Sequence, residues 1–287
     1  MRTLYLASFG LALLAASAHA GPKTWDQSWN LTTQADVHVI SGDAHVRVHT
    51  GPAGQVKVHV EYDLRHWGVV MGGGEPAVVF ERKDDQIWIT IHDPKTVGVI
   101  GAVDVRFVAD VTVPPTLGLA VRTGDGAIDC EPVSGRVQLE SGDGAIRAHG
   151  LKGDLDVRSG DGRVTLDELD GRLRARTKDG HLSCSGRFDA LDLGAGDGRV
   201  DAIAAPGSQP TSDWNVETGD GAVSLRIPHD INTLLDARTR DGHINVSLPI
   251  PVQGRLEHKE LIGELNNGGP SLRIRTGDGS ITLALSD

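Results

Sequence analysis

Thr123-Gly-Asp-Gly126, Ser141-Gly-Asp-Gly144, Ser159-Gly-Asp-Gly162, Thr177-Lys-Asp-Gly180 and Ala195-Gly-Asp-Gly198 decide the fold of this chain. Their aspartates, Asp125, Asp143, Asp161, Asp179 and Asp197, are each 18 residues apart. A fixed period over five copies marks a repeat architecture, so the columns it creates are read before any single residue. Six residues before each aspartate stand Leu119, Val137, Leu155, Leu173 and Leu191, and four before stand Val121, Leu139, Val157, Ala175 and Leu193. Three after stand Ile128, Ile146, Val164, Leu182 and Val200, and five after stand Cys130, Ala148, Leu166, Cys184 and Ala202. The positions between these columns are mostly polar, as in Asp129, Arg147, Thr165, Ser183 and Asp201. Apolar residues at a spacing of two, with polar residues between, predict short strands with one buried face.

Each repeat therefore holds two short strands, one after the Gly-Asp-Gly turn and one beginning at Gly135, Gly153 or Gly171. Eighteen residues are too few for a strand, a helix and a return, but they suit one coil of a solenoid whose coils stack at ~4.8 Å. The expected fold is all-β, a right-handed parallel β-helix with coils of about 18 residues, because parallel crossovers are overwhelmingly right-handed. Less regular copies follow at Thr218-Gly-Asp-Gly221, Thr239-Arg-Asp-Gly242 and Thr276-Gly-Asp-Gly279, with the extra residues expected as loops bulging from the coils. A degenerate copy, Ser41-Gly-Asp-Ala44, precedes them all.

Around this repeat the chain divides into residues 1–20, an irregular β segment over 21–118 continuous with the solenoid, and regular coils over 119–287 with a loop-rich insertion at 248–270. Residues 1–20 read as a signal peptide: Arg2, an apolar run from Leu4, and Ala18-His-Ala20 before a cleavage point near Ala20-Gly21. This places the mature chain in the periplasm or outside the cell. No later run approaches the ~20 apolar residues of a membrane span. Removing the leader takes away Arg2 alone, leaving 27 basic against 39 acidic residues. That balance argues against nucleic acid as a partner, which calls for a basic face. Trp25 and Trp29, among polar residues, either cover the open first coil, whose edge would otherwise recruit other chains, or stand in a frayed leader.

The Thr/Ser-Gly-Asp-Gly pattern, the exit Val111-Thr-Val-Pro-Pro115 and the ending Asn267-Gly-Gly-Pro-Ser-Leu-Arg-Ile-Arg-Thr-Gly-Asp-Gly-Ser-Ile-Thr-Leu283 resemble the bacterial putative-adhesin family of unknown function. The resemblance covers roughly residues 35–285. It implies a right-handed β-helix at the cell envelope and transfers no catalytic residues.

The residues that could carry chemistry are few in kind. The aspartate ladder should line one corner, where carboxylates ~4.8 Å apart repel by roughly 1 kcal/mol even in water. An aspartate between glycines is read first as a turn residue whose side chain accepts from backbone N–H groups. Calcium is the sharper reading of Asp125, Asp143, Asp161, Asp179 and Asp197, against which stands the lack of an aspartate in the second half of each repeat. A third reading is a carbohydrate-cleaving enzyme, which needs a carboxylate pair ~5–9.5 Å apart. Cys130 and Cys184 share an inward column three coils apart, ~14 Å by the strand spacing, beyond disulfide reach. They are expected as buried free thiols. His38, His45, His49, His59, His181 and His243 fall on polar columns and read as solvated. His258, Glu257 and Glu260 fall in the insertion and receive no catalytic assignment without a placed partner. No Walker loop, nucleophile elbow or dinucleotide fingerprint stands in a strand-to-helix context. The sequence thus points to a non-catalytic adhesin-like or scaffold protein that binds an envelope or extracellular polysaccharide or protein through stacked polar faces, without a cofactor. A carbohydrate-active β-helix enzyme and a calcium-stabilised solenoid are the alternatives.

Overall fold

The computed structural model describes residues 21–31, 35–94, 96–248 and 253–286. The signal-peptide reading of residues 1–20 lies outside the described residues. Every described element is a strand, and the strands build two ladders that face each other across one core. Successive strands of a ladder pair in parallel with the 18-residue offset read from the sequence: Val137 sits opposite Leu119 and Leu155, and Ile146 opposite Ile128 and Val164. The protein is therefore all-β and solenoid-like.

Alternation of side chains along each strand explains why this sequence closes on itself. The inward columns put Val37, Leu119, Val137, Leu155, Leu173 and Leu191 on one wall, and Val46, Ile128, Ile146, Val164, Leu182 and Val200 on the other, all buried. Leu117, Val133, Leu151, Leu169 and Phe188 add a buried corner between the ladders. The larger Trp214 and Phe188 meet edge to face with ring centroids 6.4 Å apart, where the chain has just left its strict period. Cys130 and Cys184 are free and buried, and burial pushes both thiols up to about 12.

The second glycine of each turn has a steric cause. A Cβ on Gly144 would lie 2.1 Å from the Gly126 carbonyl oxygen, and one on Gly162 would lie 2.1 Å from that of Gly144. The degenerate copy has Ala44 at this position, and the coil beneath it carries no Gly-Asp-Gly turn, only Asp93 reaching toward Gly42. Only the coil without a regular turn below it accepts a methyl.

The order of the coils departs from the order of the chain at both ends. The coil Asp36–Thr50 stacks directly on the coil Gly118–Cys130, while Gln86–His92 and Thr96–Val113 pack on its far side. At the other end Ser271–Thr276 pairs with Trp214–Thr218 on one side and with Thr233–Thr239 on the other. Ile281–Leu285 is likewise held between Val223–Ile227 and Ile244–Ser247. The final coil of the chain is an interior coil of the stack. The extra residues before Thr239 and Thr276 are thus not only loops. They carry the chain past an empty rung and back, and they include the hairpin Gln253–Leu256 and Glu260–Leu265, whose second strand runs antiparallel to Thr233–Thr239.

Antiparallel strands cover the edges of both ladders at the end that holds Lys23–Asn30, and at the other end the edge of Thr233–Thr239, where a parallel ladder would present a bare edge. Lys23–Asn30 runs antiparallel to Gln55–Gly73, and Ala77–Lys83 to Gln86–His92. Trp29 from the first of these reaches Phe80 from the other ladder, centroids 5.9 Å apart, so the two aromatics close the core's open end. Among the described residues no helix is long and apolar enough to cross a membrane.

Candidate functional site

Among the described residues most charged side chains lie on the outward surfaces, which divide into one corner and two faces. The corner holds the Gly-Asp-Gly turns. Here the hydroxyl residue, rather than the aspartate, closes the turn. Thr123 Oγ1 donates to the Gly126 carbonyl at 2.7 Å, and Thr177 Oγ1 donates to Gly160 and accepts from the Gly180 N–H. Thr218 spans the Gly196 and Gly198 carbonyls of the coil beneath, whose own turn begins with Ala195 and has no hydroxyl. These serines and threonines are buried, while Asp125, Asp143, Asp161, Asp179 and Asp197 are exposed along the corner. The reading of the aspartate side chain as the turn-former gives way to the buried hydroxyl, which lies inside the bend where the carboxylate cannot reach.

The two turns whose first glycine is replaced, by Lys178 and Arg240, place cations in this acidic corner. Lys178 lies 3.7 Å from Asp179. Arg240 lies 2.8 Å from Asp278, 3.7 Å from Asp241 and 4.0 Å from Asp220, and Lys259 adds a contact to Asp241 at 3.1 Å. Among the described residues no three His, Cys, Asp or Glu side chains gather with a geometry that would hold a metal ion. At the opposite end Asp43 sits beside Asp93, whose carboxylate accepts from the Asp43 N–H at 3.2 Å. Burial, then the charges of Asp93 and Asp125, hold the Asp43 carboxyl above its ordinary range.

The outward face of the second ladder is an alternating row of acids and bases. Pairing sets Asp26 opposite His59, His59 opposite Asp110, Asp110 opposite Arg47, Arg47 opposite Asp129, and Asp129 opposite Arg147. His59 bonds Asp26 at 2.7 Å and His45 bonds Asp129 at 2.6 Å. His49 is clamped, with Nδ1 3.0 Å from Glu131 and Nε2 3.0 Å from Asp110. Farther along, His181 pairs with Asp201 at 2.8 Å. These histidines do face outward as expected, but each is bonded to a carboxylate. The partners lie 20 to 84 residues away in sequence, so only the alternating signs of Arg47, Asp129 and Arg147 in one repeat column foreshadow the row.

Hydrogen bonds to Glu131 and Asp110 raise the His49 imidazole above its ordinary value of 6.5, against burial, which lowers it. Bonds from His49 and from the Thr50 N–H hold Glu131 below its ordinary 4.5. A raised histidine contributes stability in full below 6.5 and loses it as pH rises through its folded value; a depressed glutamate contributes above 4.5 and loses it as pH falls. The clamp is therefore complete between these limits, and it opens as pH rises through the folded value of His49 or falls through that of Glu131. Between pH 6 and pH 9 the protein should lose more stability than His49→Gln does, by up to about 1 kcal/mol for so exposed a pair. Urea melts of both proteins at the two pH values check this, and equal losses would show the clamp to be inert.

The outward face of the first ladder is a similar polar pavement. Arg122 bonds Glu140 at 2.5 Å, Arg158 bonds Asp156 at 2.7 Å, and Asp192 takes Arg174 at 3.0 Å and Arg176 at 2.6 Å. A shallow groove of about 490 Å³ runs over Arg136, Asp154, Asp156, Arg172, Arg174 and Asp192. In the former insertion, Glu260 is 3.1 Å from Arg238 and so belongs to this pavement rather than to a catalytic pair with His258.

Fold and surface together define an all-β, solenoid-like protein with an apolar interior and polar faces laid out in rungs. The chain belongs to the Toastrack DUF4097 family, whose pattern matches residues 34–284. Among solved structures it is similar to a "putative adhesin" from Parabacteroides merdae, at 13% identity over 91% of this chain and 96% of that one, with a TM-score of 0.48. It is also similar to a "putative cell adhesion protein" from Clostridium sporogenes, at 14% identity over 93% and 100% of the two chains, with a TM-score of 0.30. A third is a "putative lipid binding protein" from Parabacteroides distasonis, at 13% identity over 92% and 97%, with a TM-score of 0.38. No curated protein matches.

Proposed function

We propose that this protein is a non-catalytic binding module of the cell envelope or its exterior, a right-handed parallel β-helix whose polar faces lie along an extended polysaccharide or protein. The observation that carries the reading is the pavement on the first ladder. Its arginines and carboxylates are fixed in rungs ~4.8 Å apart by ion pairs along single strands and between neighbouring coils. An extended polymer meets such a face with many weak, regularly spaced contacts and little reorganisation on either side. The leader read at residues 1–20 supports export.

One observation favours a second reading, a carbohydrate-active enzyme. Asp43 and Asp93 are adjacent carboxylates at the edge of a cleft of about 660 Å³ that also holds His45, Tyr62, Asp104 and Phe107. Two neighbouring carboxyls, one of them held above its ordinary range, are the kind of pair that glycoside hydrolysis uses. The test is incubation of the purified protein with a panel of neutral and charged envelope polysaccharides and with envelope protein extracts, scoring retention and product masses together. Retention without new masses is the expected result. Shortened products that vanish in Asp43→Asn overturn it in favour of the enzyme.

A further inference from the structure

The pavement on the first ladder is interrupted at one rung. Pairing sets Trp88 opposite His38, His38 opposite Ala120, and Ala120 opposite Gln138, with Asp156 next. The row thus drops from two rings to a single methyl before rising to polar side chains. Around Ala120 lies a slot of about 180 Å³, lined also by Ile40, Arg122 and Glu140. The His38 and Trp88 rings stack with centroids 4.0 Å apart and planes within 8°. Their stack presents an aromatic wall, and Gln138, two rungs away, stands about 9.6 Å from it. That gap admits one ring at van der Waals distance, ~3.5–4.0 Å, from each side.

The polar atoms of the slot specify what that ring carries. Arg158 holds one oxygen of Asp156, and the other, Oδ1, is buried without a partner. His38 Nε2 is also buried and unpartnered. Burial lowers the His38 imidazole below its ordinary value, so the wall is uncharged at neutral pH. Arg122 and Arg158 are already committed to Glu140 and Asp156, which leaves no cation to recognise a phosphate or a carboxylate. Ile40, 37% exposed, gives the rim an apolar patch. A buried acceptor without a donor calls for one, since such atoms cost about 1–3 kcal/mol when left unpaired. A neutral sugar ring offers both things asked for: an apolar C–H face for the aromatic wall and O–H donors for the acceptors.

We propose that the step at Ala120 is a saccharide subsite, in which one neutral pyranose stacks on His38 backed by Trp88 and donates hydroxyls to Asp156 and Gln138. This rests on the polysaccharide form of the function proposed above and names its sugar class and its place. The experiment uses protein purified after expression of the complete sequence. Calorimetry and tryptophan fluorescence follow titration with neutral hexasaccharides of β-1,4-glucose, β-1,4-N-acetylglucosamine, α-1,4-glucose and β-1,4-mannose. Saturable binding of at least one is expected, weakened at least tenfold by Ala120→Leu, which fills the slot from an outward position. Asp156→Asn, which leaves the slot open, should weaken the same sugar at least threefold. Arg147→Ala, on the other ladder, should leave binding within twofold. Binding that both slot variants leave unchanged overturns the subsite while polysaccharide binding stands. Binding of none of the four neutral sugars also overturns it, and the broader reading then answers to its own panel of charged polymers and proteins.

Discussion

A chain ending at Asn267 is expected not to fold. Removal of a short terminal segment is ordinarily well tolerated. Here the last segment supplies an interior coil, paired in parallel on both sides and on both ladders. Its Leu272, Ile274, Ile281 and Leu283 are fully buried. At about 1.5–3 kcal/mol for each such side chain, the four contribute roughly 6–12 kcal/mol, as much as a whole domain's net stability. Its loss also strands the paired edges of Trp214–Thr218 and Thr233–Thr239. The contrasting cut removes residues 21–31, a strand paired on one side only, and should leave a cooperative though less stable protein. Soluble yield and circular-dichroism melts of the two truncations make the comparison. A protein ending at Asn267 that melts cooperatively within ~5 °C of the full chain would mean that the coils stack in chain order.

That interleaving marks the limit of what the repeat discloses. The 18-residue columns specify which residues face inward, which sit opposite one another, and that the pairs are parallel. They do so because alternation and register are local consequences of side-chain direction. They are silent on the order of coils, since every coil presents the same columns and any coil fits on any other. The spacings before Asp220, Asp241 and Asp278 did signal a disturbance, yet a loop and a detour around an empty rung lengthen the chain alike. The buried corner of Val133, Leu151 and Leu169 keeps the same period and was open to the same reading, hidden only by lying outside the two strands.

The surface was less legible than the core for a related reason. The aspartates were placed correctly on one corner, but the residue that shapes the turn is two positions earlier, where Ser41, Thr123, Ser141, Ser159 and Thr177 are buried. A hydroxyl in an apolar column looks like a tolerated polar residue until its acceptor, a carbonyl of its own or a neighbouring turn, is seen. The His49 clamp joins three segments from distant parts of the chain, so no spacing within one of them could announce it.

Gly162→Ala is expected to destabilise the protein by about 3 kcal/mol, in the range of an overpacked core although the turn lies at the surface. The added methyl would stand 2.1 Å from the Gly144 oxygen, 2.7 Å from the Gly144 carbonyl carbon and 2.9 Å from the Asp143 oxygen. All three are backbone atoms of the coil beneath, so no side chain can swing aside. The coil itself is tied down, with the Gly160 N–H donating to Gly142 at 2.7 Å and the Asp161 N–H to the same oxygen at 3.2 Å. Lifting the turn to make room breaks those bonds. The first glycine is a milder case, although a Cβ on Gly160 would stand 2.6 Å from the Gly142 carbonyl oxygen. Lys178 occupies that position, and its N–H still donates to the Gly160 carbonyl at 2.9 Å, so the turn opens there without losing its ladder. Gly160→Ala should accordingly cost no more than about 1 kcal/mol. Asp161→Ala should cost less than either, because the carboxylate is exposed and the hydroxyl of Ser159 bonds the Gly162 carbonyl at 3.2 Å. Urea melts of the three variants, with and without calcium, rank the residues of one turn. Should Asp161→Ala be the most damaging, or calcium stabilise the parent and not this variant, the carboxylate would be the organiser of the corner and the ladder would be a cation site. The expected ranking instead makes the turn a matter of backbone contact, with glycine required because each coil lies directly on the carbonyl of the next.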